Sequence, residues 1–251
     1  KMMTMLMGVL LCFLGAFHAS AAVVSQCEAV ADRVLVNADG CVLSWISLRE
    51  GAAWGPAIAG ATSWGLPALE AAGITFDMPG APASPFCSSA ISVSTLFIVA
   101  CPAESSNHFA ALVEAPGASV TVAARALPLT YDPEDAEGLS VRVNGQPVWT
   151  FPDGRHIVEV DFAQAVPGCD LRIGGVSACA SWRQSWCGHI SEIVAFDTSP
   201  DEAVRRTVRS YLARRHGVAG YFPPPGPEAV LQAMSLGLYT HALFSTQLFM
   251  R

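Results

Sequence analysis

At 251 residues the chain has room for one large domain or two smaller ones, and 52% hydrophobic against 14% charged residues argues against intrinsic disorder, which needs the opposite balance. A formal net charge of −7 and a pI near 5.3 argue against nucleic acid as a partner, because binding a phosphate backbone needs a basic surface. The basic residues do gather in one place, at Arg205, Arg206, Arg209, Arg214 and Arg215, where they are expected to form the solvated face of a helix.

The first residues read as a secretory signal. Lys1 supplies a positive start, an apolar stretch runs from Met5 to Phe17, and Ala19-Ser20-Ala21 gives a small-x-small cleavage pattern. Residues 1–21 are therefore expected to be a signal peptide, with an uncleaved signal anchor as the alternative. The mature chain would then be extracellular or held at the cell surface.

Cysteine usage fits that compartment. Besides Cys12 in the leader there are Cys27, Cys41, Cys87, Cys101, Cys169, Cys179 and Cys187, and export makes disulfides expected among them. Proximity in sequence suggests Cys27 with Cys41 and one pair within Cys169, Cys179 and Cys187; an odd number leaves one thiol free or bridged to another chain. No C-x-x-C-type pairs occur, which weighs against zinc.

Along the chain, Val34-Leu35-Val36 reads as a first strand and Asn37-Ala38-Asp39-Gly40 as a turn. Residues 50–90 are rich in Gly, Ala, Pro and Ser and read as loops carrying short strands such as Ile74-Thr75-Phe76. Ser94 to Ala100 is β-branched and aromatic and stops at Pro102. Shorter runs follow at Phe109–Val113 and Val120–Ala124. Leu139-Ser140-Val141-Arg142-Val143 alternates, and Asn144-Gly145 predicts a hairpin returning through Pro147-Val148-Trp149. His156 to Phe162 alternates again, Leu171-Arg172-Ile173 leads to Gly174-Gly175, and Ile190 to Phe196 is the last strong strand. Short strands at this spacing predict an all-β sandwich or barrel.

One helix is predicted after the last strand. Ser199-Pro200-Asp201-Glu202 offers an N-cap serine, proline at the first helical position and glutamate three residues beyond the cap. Val204, Val208, Tyr211 and Leu212 share one face, and Gly217 closes the helix. Residues 219–227, with Pro223-Pro224-Pro225-Gly226-Pro227, form a stiff linker. Residues 228–251 read as an apolar helical tail, available for a membrane surface or a partner.

Gly188-His189-Ile190-Ser191-Glu192-Ile193-Val194-Ala195-Phe196-Asp197, running into a helix that ends Tyr211-Leu212-Ala213-Arg214-Arg215-His216-Gly217, resembles the C-terminal signature of concanavalin A-like, laminin-G-like domains. Upstream, Leu66 to Asp77, Thr95 to Ala100, Val143-Asn144-Gly145 and Arg172-Ile173-Gly174-Gly175 follow the same family's order. The resemblance covers residues 30–218 and implies a two-sheet antiparallel jelly-roll sandwich with one C-terminal surface helix, assigned to residues 22–218. The family's Phe-Asp-Gly turn is here Phe76-Asp77-Met78-Pro79-Gly80. Such folds host lectins, adhesion modules and glycosidases, so the fold alone fixes no function.

Three places carry chemistry. Glu159-Val160-Asp161-Phe162-Ala163-Gln164 resembles the retaining-glucanase signature, with Glu159 and Asp161 on one face of a strand; Gln164 replaces the second glutamate, and an amide cannot protonate a leaving group. The resemblance leaves calcium open, since relatives sometimes hold it at the loop rim; Asp132, Glu134, Asp135 and Glu137 form a small acidic loop just before a strand, but without an EF-hand spacing a solvated loop is expected and no cofactor is required. Trp182, Arg183, Trp186 and His189 gather near Cys179 and Cys187 and are the candidate ligand-binding residues, with core tryptophans as the plainer alternative. A serine hydrolase is disfavoured by the lack of a G-x-S-x-G elbow, and a phosphate loop by the lack of a helix after Gly174-Gly175. The expected function is a non-catalytic extracellular binding or adhesion module for glycan or protein. A glucanase using Glu159, or a structural component assembled through the tail, is the alternative.

Overall fold

The structure, a computed structural model, describes residues 21–49, 52–57, 65–76, 84–102, 109–116, 118–123, 139–147, 154–175, 185–219 and 235. The leader, the acidic loop, the proline-rich linker and nearly all of the apolar tail lie outside the described residues.

The described strands form two antiparallel sheets that pack as a β-sandwich. The first contains β1 (Val23–Glu28), β5 (Ala68–Glu70), β6 (Gly73–Thr75), β8 (Ser92–Pro102), β11 (Leu139–Val143), β12 (His156–Pro167) and β14 (Gly188–Phe196). Its order is β11-β12-β8-β14-β6-β5, with β1 also pairing with β14. The second contains β2 (Val34–Val36), β3 (Val42–Ile46), β4 (Ala53–Pro56), β7 (Phe86–Cys87), β9 (Phe109–Ala115), β10 (Ala118–Ala123) and β13 (Arg172–Ile173), in the order β10-β9-β13-β7-β4-β3-β2. One helix, α1 (Glu202–His216), covers the outer face of the first sheet.

Period-two alternation explains why the first sheet is buried on both faces. On β8, Leu96, Ile98 and Ala100 enter the core between the sheets, while Phe97 and Val99 enter a second core beneath the helix. On β12, Val158 and Val160 face the first core and Ile157 the second. The second sheet contributes Trp45, Trp54, Phe86, Leu112 and Ile173 to the first core. Under the helix, Val208, Tyr211 and Leu212 meet Phe97 and Phe196, whose rings pack edge to face at 5.9 Å. Full burial of each such side chain contributes about 1.5–3 kcal/mol.

Several local expectations need correcting. The helix begins two residues later than Ser199-Pro200 suggests: Asp201 is the N-cap, its carboxylate accepting from the Val204 N–H at 2.8 Å. Asn144-Gly145 does turn the chain, with φ of 51° and 79°, but β11 pairs with β12, Val143 opposite Val158. The returning strand is therefore the one beginning at His156; Val148 and Trp149 lie outside the described residues. Gly217 closes α1 at φ 62°, as expected, and Val218 N–H donates to the Ala213 carbonyl.

The expected disulfide between Cys27 and Cys41 is absent, as is any other among the described cysteines. Cys27 lies in the core, its Sγ–H donating to the Trp45 carbonyl at 3.6 Å, and burial pushes its thiol up to about 12. Cys41 precedes β3 and is half-buried, its backbone pairing with Ala68. Cys169 is exposed, Cys187 is buried, and Cys179 lies outside the described residues.

Gly174 marks a tight contact. Its φ is 83°, and a Cβ there would meet the Phe76 ring at 2.4 Å. Gly174→Ala is expected to lower stability by about 2–4 kcal/mol through backbone strain and overpacking, read as a reduced urea midpoint with an unchanged slope.

Candidate functional site

The carboxylates that suggest catalytic chemistry lie under α1. Strand parity sends Glu159 and Asp161 to the helix side of β12, on one face, as their spacing predicts. Arg205 and Arg209, four residues apart on α1, descend onto them. Arg209 Nη1 donates to Glu159 Oε1 at 2.7 Å, and its other amino group pairs with Glu202 at the start of the helix. Arg205 donates to Asp161 at 2.7 and 2.9 Å and to Glu159 at 3.4 Å. It also reaches the Ser199 hydroxyl at 2.7 Å and the Pro200 carbonyl at 2.9 Å. Arg142 on β11 closes the group, 3.2 Å from Asp161. Glu159 is fully buried, and burial pushes its carboxyl above the usual carboxylate range against the pull of Arg209, Arg205 and Arg142.

Arg205 and Arg209 are thus not on a solvated face, contrary to expectation; they are 6% and 7% exposed. They flank the apolar stripe one position beyond Val204 and Val208, so their stems pack toward the sheet and their guanidinium groups find buried carboxylates there. Arg206 and Arg214 are the members of the run that do stay exposed, and Arg206 Nε donates back to the Glu202 carbonyl of its own helix.

A second buried carboxylate holds the other end of the helix. The pairing shift on β14 between Ile190 and Glu192 re-aims the strand so that Glu192 faces α1. Glu192 accepts from Gln26 Nε2 at 2.9 Å and from the Tyr211 hydroxyl at 3.0 Å, and His216 Nε2 lies 2.6 Å from it. Arg215 pairs with Glu28 and stands 3.7 Å from Glu192. Arg155 donates to the His216 carbonyl at 2.8 Å, satisfying a last-turn oxygen. Glu192 is therefore structural, as its internal place in the strand suggests.

The candidate ligand residues do not form one described cluster. Trp186 is fully buried in the core between the sheets, its backbone N–H donating to the Gly174 carbonyl at 3.0 Å. A ring so placed presents no face to a ligand. His189 sits on β14 opposite Cys101 and Thr75, with Nδ1 3.8 Å from Glu70 Oε2 and its side chain 26% exposed. Trp182 and Arg183 lie outside the described residues, as does the acidic loop from Asp132 to Glu137.

The surface carries one feature that no sequence motif announces. Leu35, Val36, Leu43 and Ile46 are the exposed large hydrophobic residues among those described, and all belong to the β2–β3 hairpin. Burial along Val42–Ile46 does not follow a period of two, with Val42 and Trp45 buried and Leu43 and Ile46 exposed, so no local pattern says which of these apolar side chains stays uncovered.

The chain matches no protein-family model, no curated protein and no solved structure.

Proposed function

We propose that this chain is a non-catalytic binding or adhesion module of the cell exterior, related to the concanavalin A-like, laminin-G-like sandwiches, and that its ligand is a protein. The observation that carries the non-catalytic part is the burial of Glu159. A retaining glycosidase needs a nucleophile open to the sugar and a second carboxyl group about 5–5.5 Å away. Glu159 instead has no solvent exposure, its neighbour on the same face is Asp161 bound to Arg205, and Gln164 stands where the acid would be.

A protein ligand is favoured over a glycan by what the described surface offers. Sugar recognition stacks on exposed aromatic rings, yet the described tryptophans Trp45, Trp54 and Trp186 are all fully buried. The β2–β3 hairpin offers aliphatic side chains instead, at the edge of the second sheet. Exposed apolar patches of this kind mark protein contacts. The other candidates for a carbohydrate site, Trp182 and Arg183, lie outside the described residues.

The test pairs a glycan array, with and without calcium, with a panel of purified extracellular proteins. Capture of a panel member that Leu35→Asp and Leu43→Asp abolish, with an empty array, supports the proposal. Specific glycan binding lost in Trp182→Ala would replace it with the lectin reading.

A further inference from the structure

We propose that Cys87 and Cys169 are the two halves of a redox-modification site that closes into a reversible disulfide. The backbones that carry the two residues touch. Ser88 N–H donates to the Gly168 carbonyl at 3.0 Å, and Gly168 N–H donates to the Ile91 carbonyl at 2.8 Å. A Cβ on Gly168 would lie 2.4 Å from the Ser88 oxygen, so only glycine allows this approach.

The two segments run antiparallel, as the pairing of Phe86 with Ile173 shows. From that pair to the Ser88–Gly168 contact, one chain takes two steps and the other five. The surplus is a turn in which Asp170 N–H donates to the Pro167 carbonyl at 2.9 Å, and Cys169 lies in it. Cys87 immediately precedes Ser88 and Cys169 immediately follows Gly168. Each cysteine thus stands one residue from a direct backbone hydrogen bond between the two segments, and the Cys169 sulfur is near enough for its charge to act on the Cys87 thiol. A disulfide between them needs Cα atoms roughly 4.4–6.8 Å apart.

The surroundings suit thiol exchange. Cys169 is exposed and Cys87 half-buried, so a small reagent can reach the first. The Arg172 side chain donates to the Cys169 carbonyl and, at 3.2 Å, to that of Leu171. Burial, the largest effect, pushes the Cys87 thiol up; the Arg172 charge pulls it down, and the Cys169 sulfur pushes it up again.

The oxidant is a low-molecular-weight disulfide such as oxidised glutathione. The Cys169 thiolate attacks one of its sulfurs, breaking that S–S bond, releasing one reduced thiol and leaving a mixed disulfide on Cys169. The Cys87 thiolate then attacks the Cys169 sulfur and expels the second reduced thiol. The protein loses two electrons and two protons; the small disulfide gains both.

The experiment incubates the full chain in buffers of increasing oxidised-to-reduced glutathione ratio, alkylates the remaining thiols, and maps digested peptides by mass spectrometry. The expected result is a Cys87–Cys169 linked peptide, absent in Cys87→Ser and in Cys169→Ser. Oxidation should also raise the thermal midpoint of the wild type by roughly 5–10 °C and leave both variants unmoved. Recovery of Cys87 and Cys169 both alkylated under oxidising conditions would overturn the proposal, as would Cys169 linked to another cysteine.

Discussion

Glu159→Ala is expected to lower the stability of the domain by about 3–5 kcal/mol, because it strips two buried guanidinium groups of their shared counter-charge. Arg209 is 7% exposed and donates to Glu159 at 2.7 Å; Arg205 is 6% exposed and lies 3.4 Å away. Without the carboxylate, Arg209 retains Glu202, which is well exposed, as its acidic partner among the described residues, and Arg205 retains Asp161. Arg209→Ala is expected to be costly for the converse reason, leaving Glu159 buried with a weaker partner. The two losses share one interaction, so the double variant should cost less than the sum of the singles by about 1–3 kcal/mol. Urea unfolding of the four proteins measures that coupling. Additive effects would mean that the pair contributes nothing beyond its separate side chains.

The second large effect belongs to Tyr211. Its ring is 2% exposed in the core between α1 and the first sheet, and its hydroxyl accepts from Gln26 at 2.9 Å while donating to Glu192 at 3.0 Å. Tyr211→Ala removes an aromatic body from a closed core and is expected to cost about 3–5 kcal/mol. Tyr211→Phe keeps the body and removes the hydroxyl, leaving two buried polar groups each short of a partner, for about 1–3 kcal/mol. The contrast separates packing from hydrogen bonding at one position. A Phe variant as damaging as Ala would place nearly all of the residue's contribution in the network around Glu192.

Both effects arise where the sequence is only half legible. Strands with clean alternation, such as Leu139–Val143 and the β12 run through Val158 and Val160, announce themselves, because period two is a local property. So do the apolar face of α1 and its closing glycine. The burial of Arg205 and Arg209 does not. A single helix places them beside the apolar stripe, and whether arginine there is solvated depends on carboxylates 44 to 50 residues upstream that no local pattern reveals. Glu159 and Asp161 show their shared face but not what covers it. The helix start is ambiguous because Ser199-Pro200 and Asp201 offer competing caps two residues apart, and it is the Asp201 carboxylate that reaches the free Val204 N–H. Cys27 and Cys41 are near in sequence, but strand parity turns Cys27 into the core. The Asn144-Gly145 turn is right in kind and its expected partner wrong, since a two-residue turn fixes local direction and not the strand that the chain joins.

The measurement that bears most directly on Glu159 as a structural counter-ion is hydrolysis of a mixed β-glucan by the wild type and Glu159→Gln, with unfolding midpoints measured on the same preparations. The predicted result is no hydrolysis above background by either protein, and a lowered unfolding midpoint for the variant. Hydrolysis by the wild type that vanishes in a variant of unchanged stability would contradict it, and would make Glu159 a catalytic group instead.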